Sequence, residues 1–368
     1  MLRILLAVLL VLHGAIHLMG FAKAYGYARI PSLTLHIARP MGVLWAITSV
    51  LFGVAAVELT MSNDGWWMPA AAALLLSQLL IVRYWRDARF GTIANALLLL
   101  VVIAGAGVRG FRAQYTAAVE RTVERTRELP AHHITEAEIT PLPQPVQRFL
   151  RTAGVVGTTV PRNMRIVFAG ELRGFDGPWM PFTTVQTNSF DEPARFFWID
   201  ATMKGMPTKG LHAYENGTAT MLIKALGLVP VMEAHGAEMD TAETVTWFND
   251  LCLFAPGALL DPRITWSPMD ERSAKATFTH RGITIRAVLM FDAADHLVDF
   301  ISDDRYALEN GRAKKLRFST PARDHRRING LLLPGYGEAV WHRPEGPLIY
   351  GRFTLRSIVY DIGAGRAR

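Results

Sequence analysis

The chain is 368 residues long, half of them hydrophobic and only 19% charged, which excludes a disordered chain or a coiled-coil rod and leaves room for two domains. A single cysteine excludes an internal disulfide framework and any site built from paired thiolates. The balance of 39 basic against 32 acidic residues gives a net charge of +7, whose meaning depends on where the bases sit.

Four apolar runs come first: Ile4–Ala22, Met41–Val57, Trp66–Val82 and Phe90–Val108. Each is near the roughly 17–25 residues that cross the hydrocarbon core at about 1.5 Å per residue. They predict four transmembrane helices within residues 1–110. The first run follows Arg3 as a signal peptide would, but His13–Phe21 has no small-x-small cleavage pattern and three further spans follow, so an uncleaved helix is expected. Lys23, Arg29 and Arg39 fall in the first loop and Arg83, Arg86 and Arg89 in the third, while the second has no base. The positive-inside rule then puts loops one and three in the cytoplasm and everything after the fourth span outside. Trp66, Trp67, Tyr84 and Trp85 suit aromatic belts at the two interfaces. Residues 1–108 hold seven bases and three acids, leaving 32 against 29 beyond them. The high pI is therefore largely positive-inside charge, and no nucleic-acid-binding face is implied.

Residues 111–140 read as an amphipathic stalk and linker. Phe111–Glu128 predicts an exposed helix with Tyr115, Val119 and Val123 four apart, followed by a stretch bearing Pro130, Pro141, Pro143 and Pro145. Val146–Ala153 predicts one short helix after Pro145.

From Asn163 the period changes to two. Ala274, Ala276 and Phe278 alternate with polar neighbours, as do Ile283, Ile285, Ala287, Leu289 and Phe291. Turn signals at Asp176-Gly177-Pro178, Asn216-Gly217, Arg281-Gly282, Asp292–Asp295, Asn310-Gly311 and Asn329-Gly330 divide the segment to Asp361 into roughly ten or eleven strands. One helix interrupts them. Asp240 is its expected N-cap, with Glu243 reaching back in a capping box, Val245, Phe248, Leu251 and Cys252 as its apolar stripe, and Pro256-Gly257 as its stop. The fold class is membrane α + β: four transmembrane helices, then an antiparallel, half-barrel-like β domain over 141–361 wrapped on one helix.

Several short motifs carry a family likeness. Leu142–Leu150, Gly177–Phe182, Leu226–Val231, Glu238-Met239-Asp240 and Ala258–Trp266 together resemble an uncharacterised bacterial family, domain of unknown function 6544, over about residues 140–360. Its members often follow a small membrane module. More loosely, the β domain is similar to the half-barrel of the lipoprotein carriers LolA and LolB and the mycobacterial carrier LppX, which hold acyl chains in an apolar groove. That likeness implies a lipid ligand. The chain departs from those carriers in having no lipobox cysteine, since Cys252 lies inside the helix, and in its multi-span anchor.

Among site candidates, His13 and His17 lie four apart on one face of the first span, where ionisable residues are costly. They could bind a metal or haem iron or relay a proton; the alternative is hydrogen bonding between helices, with Gln78 and Asn95 toward the same membrane side. The run Glu233–Asp240 gathers three acids and His235, and reads as a turn and helix start with acids favoured by the dipole. Phe196-Phe197-Trp198 makes both faces of one strand apolar. Phe197, Trp198, Trp247, Trp266 and Trp341 are the expected lining of an apolar site. Asp295-His296 and Asp324-His325 read as loops. The nucleophile elbow, the zincin helix, the Walker loop and the dinucleotide fingerprint are absent, so neither a catalytic role nor a cofactor is predicted.

The leading expectation is a bacterial inner-membrane protein with an extracytoplasmic β domain that buries an apolar ligand, with membrane lipids as partners. Two alternatives stand beside it: a membrane redox or metal module on His13 and His17, and an envelope scaffold with a protein partner.

Overall fold

In the computed structural model, which describes residues 2–203, 205–309 and 312–363, the apolar runs are helical. Helices α1 (Leu2–Tyr25), α2 (Arg39–Thr60), α3 (Trp67–Arg83), α4 (Trp85–Ala88) and α5 (Gly91–Arg127) follow in order. Among the described residues three helices are long and apolar enough to cross a membrane by length and composition: Arg3–Tyr25, Arg39–Thr60 and Gly91–Arg127. The fourth expected span, Trp66–Val82, is the 17-residue α3. The chain leaves helical geometry at Tyr84 (φ −116°, ψ 39°), so α3 is at the lower limit of the ~17–25 residues a span needs. Small residues let α1 and α2 approach: a Cβ at Gly20 would collide with the Trp45 indole. Leu5, Leu12, Leu75, Leu97 and Leu100 are exposed, as suits a surface meeting lipid.

The chain divides into two units, Met1–Ala113 with Leu226–Leu228 and Gln114–Ala225 with Val229–Arg368. The boundary at 113/114 falls inside α5. Tyr115, Val119 and Val123, expected on an exposed helix, are buried in the second unit, where Arg125 bonds Ser189 and Asn163 bonds Thr126. Two short helices follow, α6 (Glu136–Ile139), started by a Thr135–Glu138 capping box, and α7 (Gln144–Ala153), close to the expected Val146–Ala153.

Six strands come next: β1 (Asn163–Leu172), β2 (Met180–Ser189), β3 (Ala194–Met203), β4 (Met206–Glu215), β5 (Thr218–Ala225) and β6 (Val229–His235). Helix α8 (Ala237–Phe254) and a 3-10 turn, Pro256–Leu260, lead into β7 (Ile264–Asp270), β8 (Ser273–His280), β9 (Ile283–Phe291) and β10 (Leu297–Ser302). Then come six short pieces: β11 (Tyr306–Glu309), β12 (Arg312–Lys315), β13 (Arg317–Ser319), β14 (Ala322–Arg323), β15 (Arg326–Ile328) and β16 (Leu331–Leu333). The long strands β17 (Tyr336–Arg343) and β18 (Gly346–Tyr360) close the series. The strand count exceeds the expected ten or eleven because β11 to β16 run only two to four residues, too short for a period of two to register.

All strands of the main 14-stranded sheet pair antiparallel, in the order β6-β5-β4-β3-β2-β1-β18-β17-β13-β10-β9-β8-β7, with β14 beside β17. The path is open, so no closed barrel forms. Helix α8 packs on β4, β5 and β6 near one end and on β9 and β10 near the other, so the sheet curves around it. Three turns read from the sequence have two successive residues at positive φ, Asn216-Gly217, Arg281-Gly282 and Asn329-Gly330, the geometry that tight hairpins demand. The turn expected at Asn310-Gly311 lies outside the described residues. On one side of α8 the core is filled: Phe248 stacks on Phe278 at 5.5 Å, Phe300 meets it edge-on, and Trp247 lies 5.0 Å from Phe278.

Candidate functional site

The other side of α8 is not filled. Glu243, Thr246, Asn249, Asp250 and Leu253 recur at helical spacing and border a chamber of about 160 Å³. Ala242 and Glu243, with Met239 and Glu238 one turn earlier, border a second cavity of about 310 Å³. The two adjoin, since His212, Glu243, Arg305 and Tyr350 line both. All residues lining the first are buried or half-buried, whereas Met232, His235, Glu238, Leu308 and Ala313 around the second are exposed. The arrangement is an inner chamber behind an outer vestibule.

The sheet supplies the opposite wall by register. Gln186, Phe197 and His212 lie directly across from one another on β2, β3 and β4, and Asn188, Arg195 and Tyr214 form the next inward row. A charged network stands where these rows meet α8. Arg195 donates from Nε to Asp250 at 2.7 Å and from Nη1 to Glu243 at 3.0 Å, while its Nη2 donates to Gln186 Oε1 at 3.1 Å. Gln186 and Asn188 donate to the same Asp250 oxygen at 2.7 and 3.2 Å. His212 Nδ1 lies 3.8 Å from Glu243. Burial would raise Glu243, but the Arg195 charge and a hydrogen bond from His212 outweigh it and hold the carboxyl at about 2. At Asp250 the balance is reversed: burial pushes the carboxyl above its usual range against the pull of Arg195.

The remaining wall is apolar, with Phe168, Phe197, Leu253, Phe254 and Phe353 facing the chamber and Trp341, Met221 and Leu348 the vestibule. Two further polar atoms in the chamber wall, Asn249 Oδ1 and Thr320 Oγ1, are buried with no hydrogen-bond partner among the described residues. Such an arrangement can hold an apolar body and answer a polar end.

Of the five aromatic residues named from the sequence, two reach these cavities. Phe197 lines the chamber, and Trp341 lines the vestibule, stacked on Tyr350 at 5.4 Å. Trp198, one residue along β3, points the other way and lies 6.0 Å from Tyr115 of α5. Trp247 is fully buried in the filled core, its Nε1 donating to the Ser189 carbonyl at 3.0 Å. Trp266 is half-buried on β7 and lines neither cavity. The capping box expected at Asp240 and Glu243 does not form. Helix α8 starts four residues earlier, after Gly236 at φ 100°, so Asp240 instead accepts the Ala219 backbone N–H and Glu243 turns inward to Arg195. Arg195, Asp250 and Arg305 were not singled out from the sequence, and Glu243 was read there only as a capping residue. The available signal was the seven-residue spacing of Glu243 and Asp250, which puts two acids beyond the first turn on one face of the helix.

In the first unit, His13 Nε2 donates to Asn95 Oδ1 at 2.9 Å and His17 Nδ1 to the His13 carbonyl at 2.9 Å. His17 Nε2 and Asn95 Oδ1 each lie 3.0 Å from the Ser77 hydroxyl, and Asn95 Nδ2 donates to Gln78 at 3.0 Å. The network ties α1 to α3 and α5 and engages both ring nitrogens of His17. Among the described residues no group of three or more His, Cys, Asp or Glu could hold a metal ion. His296 and His325, read as separate loops, stack at 4.8 Å.

A family model described as a family of unknown function (DUF6544) matches residues 132–353. No curated protein matches the chain. Solved structures that match include a DUF1329 family protein from Desulfovibrio piger, at 12% identity and TM-score 0.34 over 63% of this chain and 95% of the other. Another is a LolA superfamily protein, NE2245 from Nitrosomonas europaea, at 9% identity and TM-score 0.33 over 58% of this chain and 92% of that one.

Proposed function

This chain belongs to the DUF6544 family of unknown function, and on that premise we propose that it is a membrane-anchored protein whose β unit holds an apolar, lipid-like ligand between the curved sheet and α8. The observation that carries the reading is the unfilled space there. Folded interiors are close-packed, and voids beyond the size of a water molecule are few. Here one face of α8 is packed against Phe278 and Phe300, while the other borders adjoining cavities of about 160 and 310 Å³. Acyl carbons entering that space would each contribute about 0.8 kcal/mol on leaving water. In this reading all four apolar helices sit in a bacterial inner membrane with the β unit outside, so that the tether keeps the β unit within reach of bilayer lipid. Phe197 and Trp341 are part of the apolar wall.

The test is co-purification of ligand with the full chain. Native mass spectrometry of protein released from nanodiscs should show a bound amphiphile, and a fluorescent fatty acid should be taken up saturably. Ala339 lines the chamber and is buried, so Ala339→Phe should fill it. Uptake should fall at least about tenfold without loss of the folded β unit. No bound amphiphile and no uptake by the wild-type chain would end the proposal.

A further inference from the structure

We propose that Arg305 is the head-group anchor of this site, so that the ligand is a single-chain amphiphile ending in an oxyanion, a carboxylate or a phosphate. The inference rests on the ligand-binding reading above and names its chemistry. Arg305 lies where the inner chamber and the vestibule meet, lining both. Its guanidinium is held flat: Cζ is 4.1 Å from the Phe318 ring centre and 5.0 Å from that of Trp341. Nε donates to the Thr246 hydroxyl at 3.2 Å and Nη1 to the Tyr350 hydroxyl at 2.5 Å.

What the guanidinium lacks, among the described residues, is an ion-pairing carboxylate, whereas buried Arg195 is held by two. Glu243 feels the Arg305 charge but is bonded to Arg195 at 3.0 Å. A half-buried cation with aromatic rings around it and donors to spare, at the mouth of an apolar chamber, has the geometry for a planar or tetrahedral oxyanion. Thr320 adds a buried hydroxyl with no partner among the described residues in the same chamber wall. Volume sets the chain number. An apolar cavity of about 150 Å³ holds a benzene molecule, and small-ligand pockets start near 300 Å³. The chamber and vestibule, at about 160 and 310 Å³, suit one chain with its head at their junction rather than a diacyl lipid.

The experiment uses the full chain in nanodiscs, labelled with a diazirine-bearing dodecanoate and mapped by peptide mass spectrometry. Labelling should fall on α8 and on the segment around residues 305–320. Dodecanoate and dodecyl phosphate should compete roughly tenfold or more better than dodecanol or dodecyltrimethylammonium, and Arg305→Met should erase that preference while leaving dodecanol unchanged. The wild-type preference needs no variant, so the test stands even if Arg305→Met does not fold. Equal competition by dodecanol would overturn the anchor and leave the apolar-ligand reading intact. Inorganic phosphate competing as well as dodecyl phosphate would also overturn it, by making the site one for a free anion. Failure of every probe to label these segments would instead remove the ligand-binding reading on which the anchor rests.

Discussion

Both units bury a polar network among apolar side chains, and the two networks differ in one respect. In the helical unit the members are His13, His17, Ser77, Gln78 and Asn95, all amides, imidazoles and a hydroxyl that satisfy one another across α1, α3 and α5. In the β unit they are Arg195, Glu243 and Asp250 with Gln186, Asn188 and His212, and all but Asn188 border the chamber. A neutral network closed on itself joins helices where nothing else polar is available. A charged one beside a cavity sets a field inside it, and its cost must be met by internal pairing. Burial of polar groups alone does not mark a site; unfilled volume beside them does.

The largest expected effect breaks the charged network. Arg195→Met leaves two buried carboxylates without their cation and should cost about 3–5 kcal/mol of β-unit stability. Replacing all three members by apolar residues, Arg195→Met with Glu243→Leu and Asp250→Leu, should recover most of that loss. Hydrogen–deuterium exchange on β2, β3 and α8 of the full chain would read both. A single variant as stable as the wild type would mean that the ion pairs are not holding sheet to helix. If the triple variant recovers stability but no longer takes up a fatty acid, the network serves the cavity rather than the fold.

Much of the architecture was legible because it repeats. The alternation in β8 and β9 and the turn pairs Asn216-Gly217, Arg281-Gly282 and Asn329-Gly330 each report locally on backbone geometry. The chamber was legible only through Phe197, whose neighbours on β3 pointed to an apolar face on each side. Arg195 and Asp250 carry no local motif, and Glu243 stayed hidden because a local rule gave it a simpler role. Asp240 and Glu243 satisfy the spacing of a capping box, and only the start of α8 at Ala237 takes Glu243 out of the first turn. Arg305 follows Asp303-Asp304, a run that reads as solvated turn, and nothing local says that its side chain folds back over Phe318. The short strands between β10 and β17 lacked the length to show a period, and Ser77 is one small residue inside an apolar helix. In each case the missing information is which distant element packs opposite, which one sequence does not carry.

A smaller effect sharpens the contrast between paired and unpaired acids within the β unit. Asp299 accepts backbone N–H groups, no cation among the described residues pairs with it, and burial raises its carboxyl to about 6. The folded state therefore holds this proton more tightly than the unfolded chain, in which an aspartate titrates near 3.9. The contribution is fully present below about pH 4 and is lost as pH rises through about 6, so stability should fall across that window. Asp299 is only partly buried, so solvent screening limits the effect to the order of 1 kcal/mol. Asp299→Asn should flatten the profile between pH 4 and 6.5, measured by denaturant unfolding of the full chain followed by β-sheet circular dichroism. An unchanged profile would place the pH dependence elsewhere.

The smallest effect is expected in the helical unit, because its network is neutral and redundant. Asn95 is the hub, accepting from His13 and donating to Gln78, with the Ser77 hydroxyl 3.0 Å away. Interhelical hydrogen bonds in membranes average only about 0.6 kcal/mol by double-mutant cycles, because the helices find other partners when one is removed. Asn95→Leu should therefore loosen the packing of α1 against α3 and α5 by about 1 kcal/mol. It should leave fatty-acid uptake by the β unit unchanged. Unfolding in detergent mixtures of increasing denaturing strength would read the first, and the uptake assay the second. A variant whose helices stay folded as well as the wild type but whose cells lose a metal- or haem-dependent activity would reverse the comparison. The polar cluster within the helices would then be the working site, and the one beside the cavity would be the structural brace.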